Sequence, residues 1–109
     1  MQHGFTAEHW CDMNGNPAGG VTSGKGFTIS WQNGPLGRGQ ERREANGAFV
    51  EDVIQAVRQR IEFYQTASEG KYACSENTKA LEYLLMAEDI LHARTREREA
   101  RHVEGTHNA

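Results

Sequence analysis

Hydrophobic positions recur along this chain with two different periods. Between Phe27 and Gln32 they alternate, with Phe27, Ile29 and Trp31 on one side and Thr28, Ser30 and Gln32 on the other. That is the period-two mark of a half-buried strand. Asn33-Gly34, followed by Pro35, is a turn signal. A lone strand leaves its backbone groups unpaired, so Val21-Thr22 or another subunit is expected beside it. From Ala48 to Gln65 the period changes. Phe49, Val50, Val53, Ile54, Val57, Ile61 and Tyr64 form one broad helical stripe, with Glu51, Gln55, Arg58, Gln59 and Glu62 opposite. Asn46 suits the N-cap, and Glu51 and Asp52 suit the positive N-terminal end.

A second helix is predicted from Glu76 to about Arg101, capped by Ser75. Its apolar set, Ala80, Leu81, Tyr83 to Ala87, Ile90 and Leu91, covers well over half the circumference. One neighbouring helix buries only part of such a set, so the strand or another copy of the chain must cover the rest. The linker of roughly ten residues, which contains Gly70, makes the pair an antiparallel hairpin. Residues 1–25 are rich in Gly, Asn and Pro and read as a flexible arm, with one short ordered piece around Phe5 to Trp10. Residues 26–109 read as the single folded domain. The expected fold class is α+β: a short β segment of one or two strands, then a long antiparallel helical hairpin, homo-oligomeric. Beyond Leu91 the helix is charged on all sides and ends towards Gly105.

Composition sharpens this picture. Only 37% of the 109 residues are hydrophobic, while 25% are charged. A lean small chain of this kind completes its core by oligomerising. The net charge of -3 gives no general attraction to nucleic acid or membranes. No apolar run approaches the ~20 residues of a membrane span. The opening residues lack a signal-peptide pattern, so the cytoplasm is expected, with Cys11 and Cys74 reduced.

Candidate chemistry is sparse. GGVTSGKG resembles a phosphate-binding loop at Gly19, Gly24 and Lys25, but Gly26 stands where a hydroxyl is required and a strand follows where a helix is required. His3, His9, Cys11 and Asp12 lack a familiar zinc spacing, and His92, His102 and His107 are scattered, so no metal is expected. Cys74 at a helix start has no accompanying oxyanion loop and reads as a small packing residue. No catalytic constellation emerges, and neither an enzyme nor a cofactor is expected. Glu88 and His92, one turn apart, fit an intramolecular contact, a polar contact across a subunit interface or the wall of a pocket.

The stretch after the strand, WQNGPLGRGQERRE, offers more. Trp31 presents a flat face for stacking, and Gln32 and Asn33 present amides. Gly34, Gly37 and Gly39 let backbone amides approach an anion. Arg38, Arg42 and Arg43 suit phosphate. The competing reading is a polar loop whose arginines pair with Glu41 and Glu44, with Trp31 in the core. These arginines are too few for a nucleic-acid track, so a compact, doubly charged small molecule fits better. Arg94, Arg98 and His107 complete the candidate ligand-binding set, reaching over a neighbouring subunit from the charged helix and tail.

The stretches GFTISWQNGPLG, NGAFVEDV, RIEFYQ, ACSEN and RHVEGTH resemble a group of short phage and prophage proteins, over roughly residues 26–107. More distantly, a β segment followed by a helical hairpin resembles the hairpin domain of phage anti-CBASS and anti-Thoeris proteins. That resemblance implies a homo-oligomeric sponge, which sequesters a cyclic nucleotide or ADP-ribose-type signal of host defence without catalysis. It transfers no ligand residue; the candidates above come from this chain's own chemistry. The alternative is a small interaction module whose apolar helix face binds a host protein.

Overall fold

A computed structural model describes residues 4–101 and 105–108. His3 and residues 102–104, which include His102 and part of the RHVEGTH motif, lie outside the described residues. The chain divides into two compact units: Met1–Phe49 with Arg98–Ala109, and Val50–Glu97.

The first unit carries a three-stranded antiparallel sheet in the order β1-β2-β3, with β1 at Phe5–Cys11, β2 at Pro17–Gly24 and β3 at Phe27–Asn33. This corrects the expected one or two strands: the stretch read as a loose arm supplies two of the three. Val21 and Thr22 do pair with the predicted strand, opposite Ser30 and Ile29. The glycines that masked β2 mark close backbone approach. A Cβ on Gly20 would run into the Glu8 carbonyl oxygen of β1. The Phe27 ring lies against Gly24, with the Phe5 ring 6.5 Å away, centroid to centroid. The β1–β2 turn is tied by Asp12, whose carboxylate accepts the amides of Asn14 (2.9 Å) and Asn16 (3.0 Å). The Asn16 amide is the largest cause holding the Asp12 carboxyl below its ordinary value. The GGVTSGKG motif is strand β2 running into a Lys25-Gly26 turn, which leaves no helix to cradle a phosphate.

Beyond β3 the chain doubles back. Ala48 bridges in parallel to Trp31, with Gln32 N–H donating to Ala48 O (3.0 Å) and Ala48 N–H to Ser30 O (2.8 Å). A Cβ on Gly47 would stand 2.6 Å from the Trp31 carbonyl. Asn46 was expected to cap the first helix. Instead its side chain accepts Asn33 N–H (2.8 Å), while its own amide donates to the Gln32 side chain (2.9 Å). The bridge takes Ala48, the first residue of the expected helix, and the helix begins instead at Val50.

The second unit is the hairpin of α1, Val50–Gly70, and α2, Ser75–Ala100, whose last three residues fall in the first unit. One run of less exposed positions on each helix steps by three and four, the spacing of a coiled-coil seam: half-buried Ile54, Arg58, Ile61 and Gln65 on α1, and half-buried Leu81, Leu84, Leu91 and Thr95 with buried Glu88 on α2. The antiparallel pairing is fixed by polar bonds. Arg58 reaches Glu88 through Nε (2.6 Å) and Nη2 (3.2 Å), and also holds Glu62 (2.7 Å). Glu88, followed by Glu62, raises the Arg58 guanidinium above its ordinary value. The Glu88–His92 contact is thereby corrected: Glu88 is buried against Arg58, and His92 is exposed. Near the linker Gln65 donates to Thr78 Oγ1 (3.0 Å) and accepts from Asn77 (3.2 Å) and from the Cys74 amide (3.0 Å). Cys74 itself is exposed, not packed.

Among the described residues no hydrophobic side chain is buried. Tyr83, Met86 and Ile90, at 67%, 57% and 66% exposure, lie on the side of α2 turned away from the seam. No described helix is long and apolar enough to cross a membrane.

Candidate functional site

Two places collect chemistry, one in each unit. In the first, the loop after β3 turns on Gly34, Gly37 and Gly39, all with positive φ, and makes a single 3-10 turn at Gly39–Glu41. Its backbone is closed by Arg43 N–H to Leu36 O (2.6 Å). Arg42 donates to Gly37 O (3.3 Å) and Arg43 to Pro35 O (3.1 Å), so both arginines hold the loop's own carbonyls. Arg38, Gly39, Arg42 and Glu99 line a cavity of about 410 Å³. Two guanidinium groups there suit a phosphate, and Glu99 sets a limit on how much negative charge is welcome.

The other sequence-predicted residues divide. The Trp31 indole N–H donates to Thr22 Oγ1 (2.9 Å) and its half-buried ring serves the sheet. The Asn33 backbone is tied to Asn46. Arg98 is brought near the loop through the chain's own tail, donating to the carbonyls of Thr106 (2.9 Å) and Asn108 (2.7 Å). His107 is exposed and contributes, as a minor cause, to the lowered Asp12. Arg94 belongs to the second unit, exposed and with no partner among the described residues. No group of three or more described His, Cys, Asp or Glu residues is placed to hold a metal.

The second place is at the linker end of the hairpin, and sequence reasoning missed it. Helical dihedrals stop at Ala67 (ψ 147°), and Ser68, Glu69 and Gly70 then run left-handed at φ 52°, 59° and 85°. Such a conformation is costly for non-glycine residues and gathers at sites that need it. The turn opens a cleft of about 500 Å³ lined by Phe63, Tyr64, Ala67, Ser68, Tyr72 and Asn77. Phe63, Tyr64 and Tyr72 are 51%, 41% and 57% exposed, so three rings are available to a ligand. Arg60 lies over two of them, 4.9 Å from the Phe63 centroid and 5.0 Å from that of Tyr64, and donates Nε–H to Tyr64 Oη (3.2 Å). Lys71 stands 5.5 Å over Tyr72. An apolar concavity with a few polar groups and cations at its rim suits a planar ring that carries negative charge. The signal in the sequence is the Phe63-Tyr64 pair so near Tyr72; helical periodicity draws only Tyr64 out, as part of the apolar stripe of α1.

No family model matches the chain. It is similar to Thoeris anti-defense 1 of Bacillus phage SBSphiJ7. The two are 39% identical over 85 residues, which cover 78% of this chain and 55% of the relative. The chain thus spans about half the length of the curated relative it matches. The match supports the distant resemblance to anti-Thoeris proteins drawn from the sequence.

Proposed function

We propose that this chain is a phage anti-defence protein that captures a compact nucleotide signal, of cyclic nucleotide or ADP-ribose type, and holds it without chemistry. The observation that carries the reading is the aromatic cleft, in which a guanidinium already lies across two exposed rings at the end of the hairpin. A nucleobase stacks in the same manner on Phe63, Tyr64 or Tyr72, and Arg60 and Lys71 answer its phosphates. In the first unit Arg38 and Arg42 line a separate cavity that could take a phosphate-bearing group, with Trp31, Asn33, Arg43, Arg94, Arg98 and His107 as the further sequence-derived candidates. The similarity to Thoeris anti-defense 1 supports the role. Capture needs only affinity: a Kd near nanomolar corresponds to about -12 kcal/mol, within reach of stacking combined with charged hydrogen bonds.

The test is a melting screen against cyclic di- and trinucleotides and cyclic ADP-ribose derivatives, since a ligand of the folded state raises Tm. Heating the complex should release the ligand with unchanged mass. Tyr64→Ala and Arg60→Ala should each weaken binding about tenfold or more, as loss of one stacking or charged contact does. A blank across the whole panel sinks the reading, and a hit unaffected by either variant moves it away from the cleft.

A second reading rests on Tyr83, Met86 and Ile90, which present an apolar strip on the outer side of α2. That strip fits a second copy of the chain in a homo-oligomer, or a host protein in an interaction module. Light scattering at micromolar concentration distinguishes the self-assembled case from the monomer.

A further inference from the structure

The tail after α2 is built into the first unit in a way that its polar sequence conceals. Gly105 O accepts the Gly37 N–H at 2.8 Å. Gly105 has φ +81°, and a Cβ there would run into the Gly37 carbonyl oxygen, so both the conformation and the contact require glycine. One nitrogen of Arg98, Nη2, donates to the carbonyls of Thr106 and Asn108 at 2.9 and 2.7 Å. The Asn108 amide folds back onto Thr106 Oγ1 at 3.2 Å. The carbonyl of Gly37 in turn accepts from Arg42, which lines the loop cavity. Strap, loop and cavity-facing guanidinium therefore meet at one glycine.

We propose that residues 105–108 are a strap that fixes the shape of the Gly34–Arg43 loop, and that Arg98 is its clasp. Arg98 is thus a positioning residue: it grips the strap's carbonyls, and the strap presents Arg42 through Gly37. The strap stands on its own geometry; its consequence for phosphate rests on the capture function proposed above.

The experiment is hydrogen exchange on the full chain, comparing wild type with Gly105→Ala, Arg98→Met and Arg98→Lys. In the Ala and Met variants the Gly37 and Arg43 amides should exchange about tenfold faster or more, because their protection depends on local closure. The amides of Ile54 to Tyr64 should be unchanged, and Arg98→Lys should recover part of the loop protection. Unchanged Gly37 exchange in Gly105→Ala, or in Arg98→Met if the first variant fails to fold, overturns the strap. Titration with inorganic pyrophosphate supplies the functional arm. If wild type binds it, Arg98→Met should weaken binding about tenfold, with partial recovery in Arg98→Lys, as expected for a lost charged contact that positions another. If wild type does not bind it, the loop fails as a phosphate site, and the exchange result alone decides the strap.

Discussion

The sheet unit is held by backbone groups and glycine, whereas the hairpin is held by side chains meeting along a helical seam. In the first, Gly20 lies under the Glu8 carbonyl, Gly47 against Trp31 and Gly105 against Gly37. There the absence of a side chain is what lets strands and loops approach. In the second, Leu84 and Leu91 flank a charged layer in which Arg58 holds Glu88. The difference shows two ways for a lean chain to obtain a defined shape. One substitutes hydrogen bonds for apolar volume. The other sets a line of partly covered leucines and isoleucines along one side of each helix and fixes the register with an ion pair.

The contrast can be broken most severely at the charged layer. Arg58→Ala leaves the buried Glu88 carboxylate without its cation and should lower Tm by on the order of 10 °C, read by circular dichroism at the helix band. Arg58→Leu combined with Glu88→Leu should recover most of that loss, because an apolar pair of similar size suits the seam. A double variant as unstable as the single one would mean that the layer does more than satisfy its own charges. Next in size is Gly20→Ala. Its Cβ meets the β1 backbone and φ is +150°, so the first unit should lose about 2–3 kcal/mol in urea titration while the hairpin signal holds. Equal loss in both signals would show that the two units unfold as one.

A smaller effect is expected from Ile90→Glu on the outer side of α2. Hairpin stability should change little, since the residue is 66% exposed, and any assembled mass in light scattering should fall. The smallest concerns acid. The Asp12 carboxyl is held below its ordinary value of 3.8, chiefly by the Asn16 amide. Its share of stability is therefore complete above that value and fades as pH falls through the lower folded one. Asp12→Asn should remove this acid-sensitive step in the β1–β2 turn without moving the hairpin's own acid response.

Strand β3 and both helices were legible because their periods are local properties of the sequence. The hairpin's direction followed from the linker around Gly70, which is shorter in the structure because α1 runs on to Gly70. What escaped was decided by partners far along the chain. Pro17–Gly24 has poor strand propensity, and the proximity of Asn33 to Gly19, of Glu8 to Gly20 and of Phe27 to Gly24 explains its glycines. Asn46 has every local mark of a cap, yet β3 claims it. Within the candidate sites, Arg38 and Arg42 were found by residue type, and the structure places both at one cavity. The aromatic cleft was hidden for the opposite reason: helical periodicity assigns Tyr64 to a covered face, whereas Val50, Val57 and Tyr64, at seven-residue spacing, are all exposed.

That no described hydrophobic side chain is fully withdrawn from solvent has a calorimetric consequence. The heat capacity increment of unfolding follows the non-polar area newly hydrated, so an isolated chain should melt over a wide temperature interval with a small increment and a shallow free-energy curve. Copies that cover one another's Tyr83, Met86 and Ile90 would sharpen the endotherm and make its midpoint climb with protein concentration.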